Sequence, residues 1–266
     1  MIEFYVKIFA LAIIFPIIHN INKCAPLYAG GIRIFGSTVG WLTRRPKLKL
    51  AAGIIFFNDC HSLKRCLGSL VDEVDMIFAV DGKFPNFSAD SKLSTDGSRE
   101  VVRSYSKCLL IDFPGSEYEK RAIYLKYCSV YSIDILLIID SDEFILNNPN
   151  WDLFRHNLKR IIFDRDKCSH NVYAVRVQTS VKDGKFLPYP RIWYKPGDME
   201  YYGGRHYFYK NKDPLVINVP HQGDHSLNII EGVELGHNHF LRSEIHMKSR
   251  FAYQYWLQNF ENSLPQ

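Results

Sequence analysis

The sequence predicts an α/β protein built on a mostly parallel sheet, and three observations lead there. First, between Leu50 and Ile139 short apolar runs alternate with stretches whose apolar residues recur at helical spacing. That alternation reads as successive βαβ units, which close into a parallel sheet through right-handed crossovers. Second, the run Ile135–Ile139 is apolar at every position, as in a strand covered on both faces. Third, the runs end abruptly in polar residues: Asn58–Asp59, Asp81–Gly82 and Asp140–Ser141–Asp142–Glu143. Ligands of open α/β sheets bind at the carboxyl ends of the strands, so these ends are where chemistry is expected.

A chain of 266 residues accommodates one large domain or two small ones. With 47% apolar and 23% charged residues it has material for a sizeable core. The net charge of +5 suits an anionic nucleotide or membrane surface. It is too small to indicate nucleic acid, and no basic–aromatic repeat supports such a partner. The cysteines Cys24, Cys60, Cys66, Cys108, Cys128 and Cys168 form no C-x-x-C pair, which argues against a zinc ribbon. They read as reduced, buried thiols.

The first element is Phe4–Ile18, apolar apart from Lys7 and Pro16. Its charge-free part, Ile8–Ile18, falls short of the ~20 residues of a spanning helix. Glu3 precedes it, no basic region leads it and no small-x-small site follows, so a cleaved signal peptide fits poorly. Basic residues follow at Lys23, Arg33, Arg44, Arg45, Lys47 and Lys49. They would keep the next domain on the cytoplasmic face and can rest on anionic lipid. Residues 1–21 are therefore expected to be a membrane anchor, with a helix buried on a soluble cytoplasmic domain as the alternative. Residues 22–48, with Gly30, Gly31, Gly36 and Gly40, read as a linker or packing segment, and 49–266 as the domain.

Within the domain, Leu50–Phe57 is the first expected strand. Ser62–Leu70 follows as a helix with Leu63, Cys66, Leu67 and Leu70 on one face. Val74–Val80 is the second strand, a polar loop runs from Lys83 to Leu93, and Ser94–Thr95–Asp96–Gly97–Ser98 starts a helix. Cys108–Ile111 is a third strand, Tyr118–Tyr131 a helix and Ile135–Ile139 the fourth strand. The second half changes character. After a helix at Trp151–Ile161, the runs Val172–Thr179, Arg191–Tyr194, Tyr207–Tyr209 and Leu215–Val219 are short and partly alternating, as in antiparallel strands. Ser243–Phe260 reads as a closing helix.

Several of these stretches carry a shared pattern. Phe57–Asn58 closes the first strand, and the helix after it has Leu63, Cys66, Leu67, Ser69 and Leu70 in the order L-x-x-C-L-x-S-L. Val80–Asp81–Gly82 and Ser94–Thr95–Asp96–Gly97–Ser98 look like one V-D-D-G-S-T-D-G-T motif split by an insertion. Asp140–Ser141–Asp142 has D-x-D form, and Arg191–Ile192–Trp193–Tyr194, Gly204–Arg205–His206 and Gly236–His237–Asn238–His239 follow. Together these resemble the GT-A glycosyltransferases, in particular glycosyltransferase family 2, over roughly Lys49–Tyr255. The resemblance departs where Tyr207, not Glu, follows His206. It implies a Rossmann-like, mostly parallel sheet flanked by helices, with a smaller antiparallel acceptor-side portion. It also implies transfer of a sugar from a nucleotide-diphosphate sugar to a hydroxyl of a glycan or lipid-linked acceptor, with Mn²⁺ or Mg²⁺.

Each residue has a functional and a plain reading. Asp81 is expected at the nucleobase or ribose, or merely in a turn. Asp96 is either a ligand or a helix cap. The resemblance places Asp142 on the metal and Asp140 on the metal or ribose, where the ion would neutralise the leaving diphosphate. The alternative is a cap cluster for the following segment, and Glu143 stays unassigned. Lys120 and Arg121 would pair with the diphosphate at a helix start, or lie on a solvated face beside Glu119. His237 and His239 share one side of an extended segment. The resemblance favours His239 as the metal ligand and leaves His237, His206 and Arg191 on the acceptor or phosphate side. A general base for the acceptor hydroxyl would come from Asp198, Glu200, Asp224, Glu231 or Glu234, with Asp198 and Glu200 named first.

Two rival functions remain. A haloacid-dehalogenase-type phosphatase also uses a strand followed by D-x-D, but at the chain's first strand and followed by Thr or Val; here Glu143–Phe144 follows, three strands in. A non-catalytic glycan- or nucleotide-binding module would not need Asp81, Asp140 and Asp142 together.

Overall fold

The computed structural model describes residues 48–163, 172–180, 184–202, 206–209, 217–218 and 228–237. The segments expected as anchor, linker and closing helix lie outside these residues. No helix among the described residues is long and apolar enough to cross a membrane.

The α/β architecture expected from the sequence is present. Strands β1 (Leu50–Phe56), β2 (Met76–Asp81), β3 (Cys108–Asp112) and β4 (Ile135–Ile138) are joined by helices α1 (Cys60–Leu70), α2 (Ser98–Arg103) and α3 (Glu117–Val130). All four strands run parallel, in the order β3-β2-β1-β4. Every residue of β1 and β4 is buried, which is why their sequences are apolar without alternation.

Beyond β4, strand β5 (Glu143–Ile145) and helix α4 (Trp151–Phe163) lead to β6 (Val172–Ser180), β7 (Lys185–Tyr194) and, late in the chain, β11 (Ile229–His237). Here the sheet is mixed: β7 pairs antiparallel with β4 and β6, and β11 pairs parallel with β6 and antiparallel with β5. The eight-stranded sheet has the order β3-β2-β1-β4-β7-β6-β11-β5. A three-stranded antiparallel sheet, β10-β9-β8, is made of β8 (Met199–Tyr202), β9 (His206–Tyr209) and β10 (Ile217–Asn218).

Period-two alternation along β1 divides its side chains between two cores. Leu50, Ala52, Ile54 and Phe56 pack with Leu63, Leu67 and Leu70 of α1, Val102 of α2 and Phe154 of α4. Ala51 and Ile55 pack on the other face with Tyr124, Leu125 and Cys128 of α3. Each of the fully buried α1 leucines contributes about 2 kcal/mol of hydrophobic stabilisation. Gly53 lets α3 approach, since a Cβ there would sit 3.0 Å from the Tyr124 ring. A capping box starts α3: Glu119 N donates to Ser116 Oγ at 3.4 Å, and Ser116 N donates to Glu119 Oε2 at 2.7 Å. That start brings the first turn of α3 to the carboxyl ends of the parallel strands.

Candidate functional site at the carboxyl end of β4

The four polar residues that follow the β4 run form a tight turn into β5. Glu143 N donates to the Asp140 carbonyl at 2.9 Å, the closure of a four-residue turn. Each side chain on the turn then takes a different partner. Asp140 accepts from Arg121 Nη2 on α3 at 2.9 Å and from Arg191 Nη2 on β7 at 3.1 Å, one arginine per oxygen. Ser141 Oγ donates to Asp59 Oδ2 at 2.5 Å. Asp142 Oδ2 lies 3.0 Å from His237 Nε2, at the end of β11. Glu143 accepts from Asp140 N at 2.9 Å and pairs with Arg191 through its other oxygen.

The charges of this turn are strongly perturbed. Burial pushes the Asp140 carboxyl up, but Arg191 and Arg121 outweigh it and hold the group well below the usual carboxylate range. Glu143 goes the other way: burial and the Asp140 charge raise it against the pull of Arg191. Arg191 itself keeps its proton, because Glu143 and Asp140 overcome the cost of burying it. Its Nε is buried and makes no hydrogen bond among the described residues.

Three side chains expected at the nucleotide have protein partners instead. Asp81 is fully buried. It accepts from Ser94 N at 3.1 Å, from Ser94 Oγ at 2.6 Å and from Arg99 Nη1 at 2.6 Å. Asp81 thus ties the far end of the insertion back to β2. Asp96 resolves towards the cap, since one oxygen accepts from Ser98 N at 3.1 Å and the other from Cys60 N at 2.9 Å. The Lys120 ammonium is buried under the Phe84 ring at 3.5 Å and donates to the carbonyls of Phe56 and Gly82, so it stitches β1 to β2. Burial lowers it to about 7. Arg121 does reach the site, but it also donates to Glu117 and to the Tyr124 hydroxyl.

The general-base candidates named first lie at the opposite end of β4 from the Asp140 turn. Asp198 closes a 3-10 turn after β7, and Glu200 stands on β8. Tyr194 is paired with Ile135 at the start of β4, and Lys195 N donates to the Asp134 carbonyl. That places the turn about 16 Å from Asp140, at the rise of an extended strand. Glu231 and Glu234 line a cavity of about 250 Å³ with Asn147, Asn148 and Arg176, and no residue of the Asp140–Glu143 turn is among its lining. Asp224 and His239 lie outside the described residues, as does the side chain of His206.

Asp59 was named from sequence only as part of a strand end, and Arg99 and Asp112 were not singled out. Arg99 bridges Asp81 and Asp112, the paired last residues of β2 and β3. The rule that picked Asp81, a carboxylate at a strand end, picks Asp112 equally well.

A divalent cation fits part of this arrangement. Asp142 and His237 offer an oxygen and a nitrogen 3.0 Å apart. Neighbouring donors of an octahedral ion with bonds of about 2.1 Å are separated by about that distance. Among the described residues no cluster of three or more His, Cys, Asp or Glu side chains forms. Asp140, with an arginine on each oxygen, is not placed to be a third.

No family model matches the chain, and no curated protein matches it. Among solved structures it is similar to TarS of S. aureus, at 15% identity and a TM-score of 0.38, over 56% of this chain and 28% of that one. TarS 1–349 in complex with UDP-GlcNAc gives the same identity and score, over 56% of this chain and 46% of that one. Glucosyl-3-phosphoglycerate synthase from Mycobacterium tuberculosis, with Mn²⁺, UDP and phosphoglyceric acid, is similar at 19% identity and a TM-score of 0.32, over 49% of this chain and 43% of that one. The chain spans less than half the length of each of these proteins, and each superposition is partial.

Proposed function

We propose that the chain is a glycosyltransferase of GT-A type. It would transfer a sugar from a nucleotide-diphosphate sugar to a hydroxyl of a glycan or lipid-linked acceptor, with Mn²⁺ or Mg²⁺. The observation that carries this reading is the Asp140–Ser141–Asp142 turn at the carboxyl end of a buried parallel strand, with Asp142 facing His237. Asp142 and His237 would hold the cation. When bound, that ion offsets the charge that grows on the departing diphosphate. Arg191 and Arg121 keep Asp140 ionised and fixed, and the carboxyl ends of β1 and β4 form the crevice for the donor.

The phosphatase alternative needs Asp140 as a nucleophile with a free oxygen, and two arginines occupying its oxygens speak against it. Residues 1–21 would anchor the domain to the cytoplasmic face of a membrane, which suits a lipid-linked acceptor. Deleting them should move the protein from the membrane to the soluble fraction; unchanged partitioning defeats the anchor.

The function is tested by thermal stabilisation with UDP-, GDP- and CMP-sugars, with and without Mn²⁺, in the wild type and in Asp142→Ala. Stabilisation that requires the metal and is lost in the variant is expected. No response to any nucleotide defeats the assignment.

A further inference from the structure

Asp59 stands immediately before α1, where an aspartate ordinarily accepts a bond from the first-turn amides of its own helix. It makes no such capping bond. Cys60 N, the first amide of the helix, donates to Asp96 from the loop before α2. Asp59 N donates to Ser98 Oγ at 2.9 Å, and Ser98 Oγ donates to Asp96 at 2.6 Å. The start of α1 is thus served by other residues, and the Asp59 carboxylate is turned elsewhere. It is buried and accepts from Ser141 Oγ at 2.5 Å, from a residue 82 positions later in the chain.

Ser141 is the residue between the two aspartates. The turn is closed on itself by the bond from Glu143 N to the Asp140 carbonyl. Fixing the middle side chain fixes the directions in which its neighbours leave: Asp140 towards Arg121 and Arg191, Asp142 towards His237. A hydrogen bond to a carboxylate is stronger than one between neutral groups, and in a buried place it holds its geometry.

We propose that Asp59 is a positioning residue for the Asp140–Ser141–Asp142 turn. It acts through the Ser141 hydroxyl to hold Asp142 in its cation-binding orientation, a role that rests on reading this turn as the metal–nucleotide site. Groups that orient a metal ligand without touching the metal typically carry 10- to 100-fold in affinity.

The test measures Mn²⁺ binding, alone and with UDP, by electron paramagnetic resonance and calorimetry. The full chain is compared with Asp59→Ala, Asp59→Asn, Ser141→Ala, the Asp59→Ala/Ser141→Ala double variant and Asp142→Ala. Asp59→Ala and Ser141→Ala are each expected to weaken Mn²⁺ binding by about tenfold or more, and the double variant by no more than the weaker single. Asp59→Asn, which retains an acceptor oxygen, should stay within about threefold of the wild type. A merely structural Asp59 would lower the melting temperature and leave Mn²⁺ affinity unchanged, which overturns the proposal. Additive losses overturn it too. If Asp59→Ala does not fold, wild-type affinity in Ser141→Ala overturns it alone. Should Asp142→Ala abolish binding while Asp59→Ala keeps it, this role fails and the functional reading stands. Should the wild type bind neither Mn²⁺ nor UDP, both fail together.

Discussion

His237 Nε2 lies 3.0 Å from Asp142 Oδ2, although 95 residues separate them. The contact follows from strand pairing: β11 runs antiparallel to β5, with His237 opposite Glu143. Asp142 has almost no exposed side-chain surface, and His237 little. Replacing His237 with Ala removes a candidate cation donor and leaves the buried carboxylate without its imidazole. Mn²⁺-dependent nucleotide binding should weaken by about 10-fold or more in His237→Ala, and metal-free thermal stability should also fall, because the buried Asp142 carboxylate loses a partner. Calorimetric titration of UDP with and without Mn²⁺ reads the binding. Equal affinity in wild type and variant would remove His237 from the site.

Arg191 is the pivot of the ion cluster. Its Nη2 serves both Asp140 and Glu143, and Glu143 is 1% exposed. Arg191→Met would strand the buried Glu143 carboxylate and leave Asp140 with Arg121 alone, and breaking a buried pair from one side costs about 3–5 kcal/mol. Adding Glu143→Gln removes the stranded charge, so the double variant should recover part of that loss. Urea unfolding curves measure the difference. A single variant within about 1 kcal/mol of the wild type would mean that water or another group replaces the guanidinium.

Gly82 presents a backbone constraint. A Cβ at this position would come within 2.4 Å of the Phe113 carbonyl oxygen, and backbone cannot swing aside as a side chain can. Gly82→Ala should therefore separate the ends of β2 and β3 at a cost of about 1–3 kcal/mol, read from the urea midpoint. It should also disturb Lys120, which donates to the Gly82 carbonyl.

The parallel half was legible because of its burial. Strands β1 and β4 are covered on both faces, so their sequences are apolar throughout and their ends are marked by a switch to polar residues. Strands β5, β8 and β11 were not legible. β5 is three residues long and begins with Glu143, a carboxylate no propensity scale places in a core. β11 carries Gly232 and Gly236 and a register shift, and its order comes from pairing with β6 and β5 rather than from its own pattern.

The place of Asp140 and Asp142 after a buried strand was legible by the same strand-end logic, but their side-chain partners were not. That Arg191 meets Glu143 depends on β7 lying antiparallel beside β4, a tertiary fact without a local signature. For the same reason Asp198 and Glu200 looked equivalent to other loop carboxylates until the register of β7 put them at the opposite sheet end. Lys120 and Arg121 are adjacent in sequence yet differ by the turn of a helix. One ammonium points under the sheet ends and the other side chain reaches Asp140.

Lys120 also sets a pH dependence whose sign can be stated. Its ordinary value is near 10.5, and burial lowers it to about 7 in the folded protein despite the nearby Asp81. Between those limits the unfolded chain binds the proton more tightly than the folded one, so stability rises with pH across roughly pH 7 to 10. Below about pH 7 the folded protein bears the full cost of a buried ammonium. Within the window the slope from this one group reaches at most about 1.4 kcal/mol per pH unit. Lys120→Met keeps a chain of similar length under the Phe84 ring and removes the titrating group. Urea midpoints taken from pH 7 to 9.5 should rise less steeply in the variant than in the wild type. Cysteines and tyrosines that titrate in the same range contribute to both proteins and cancel in the difference. Parallel slopes would mean that the bonds to the Phe56 and Gly82 carbonyls keep Lys120 charged in the folded state, with no proton given up on folding.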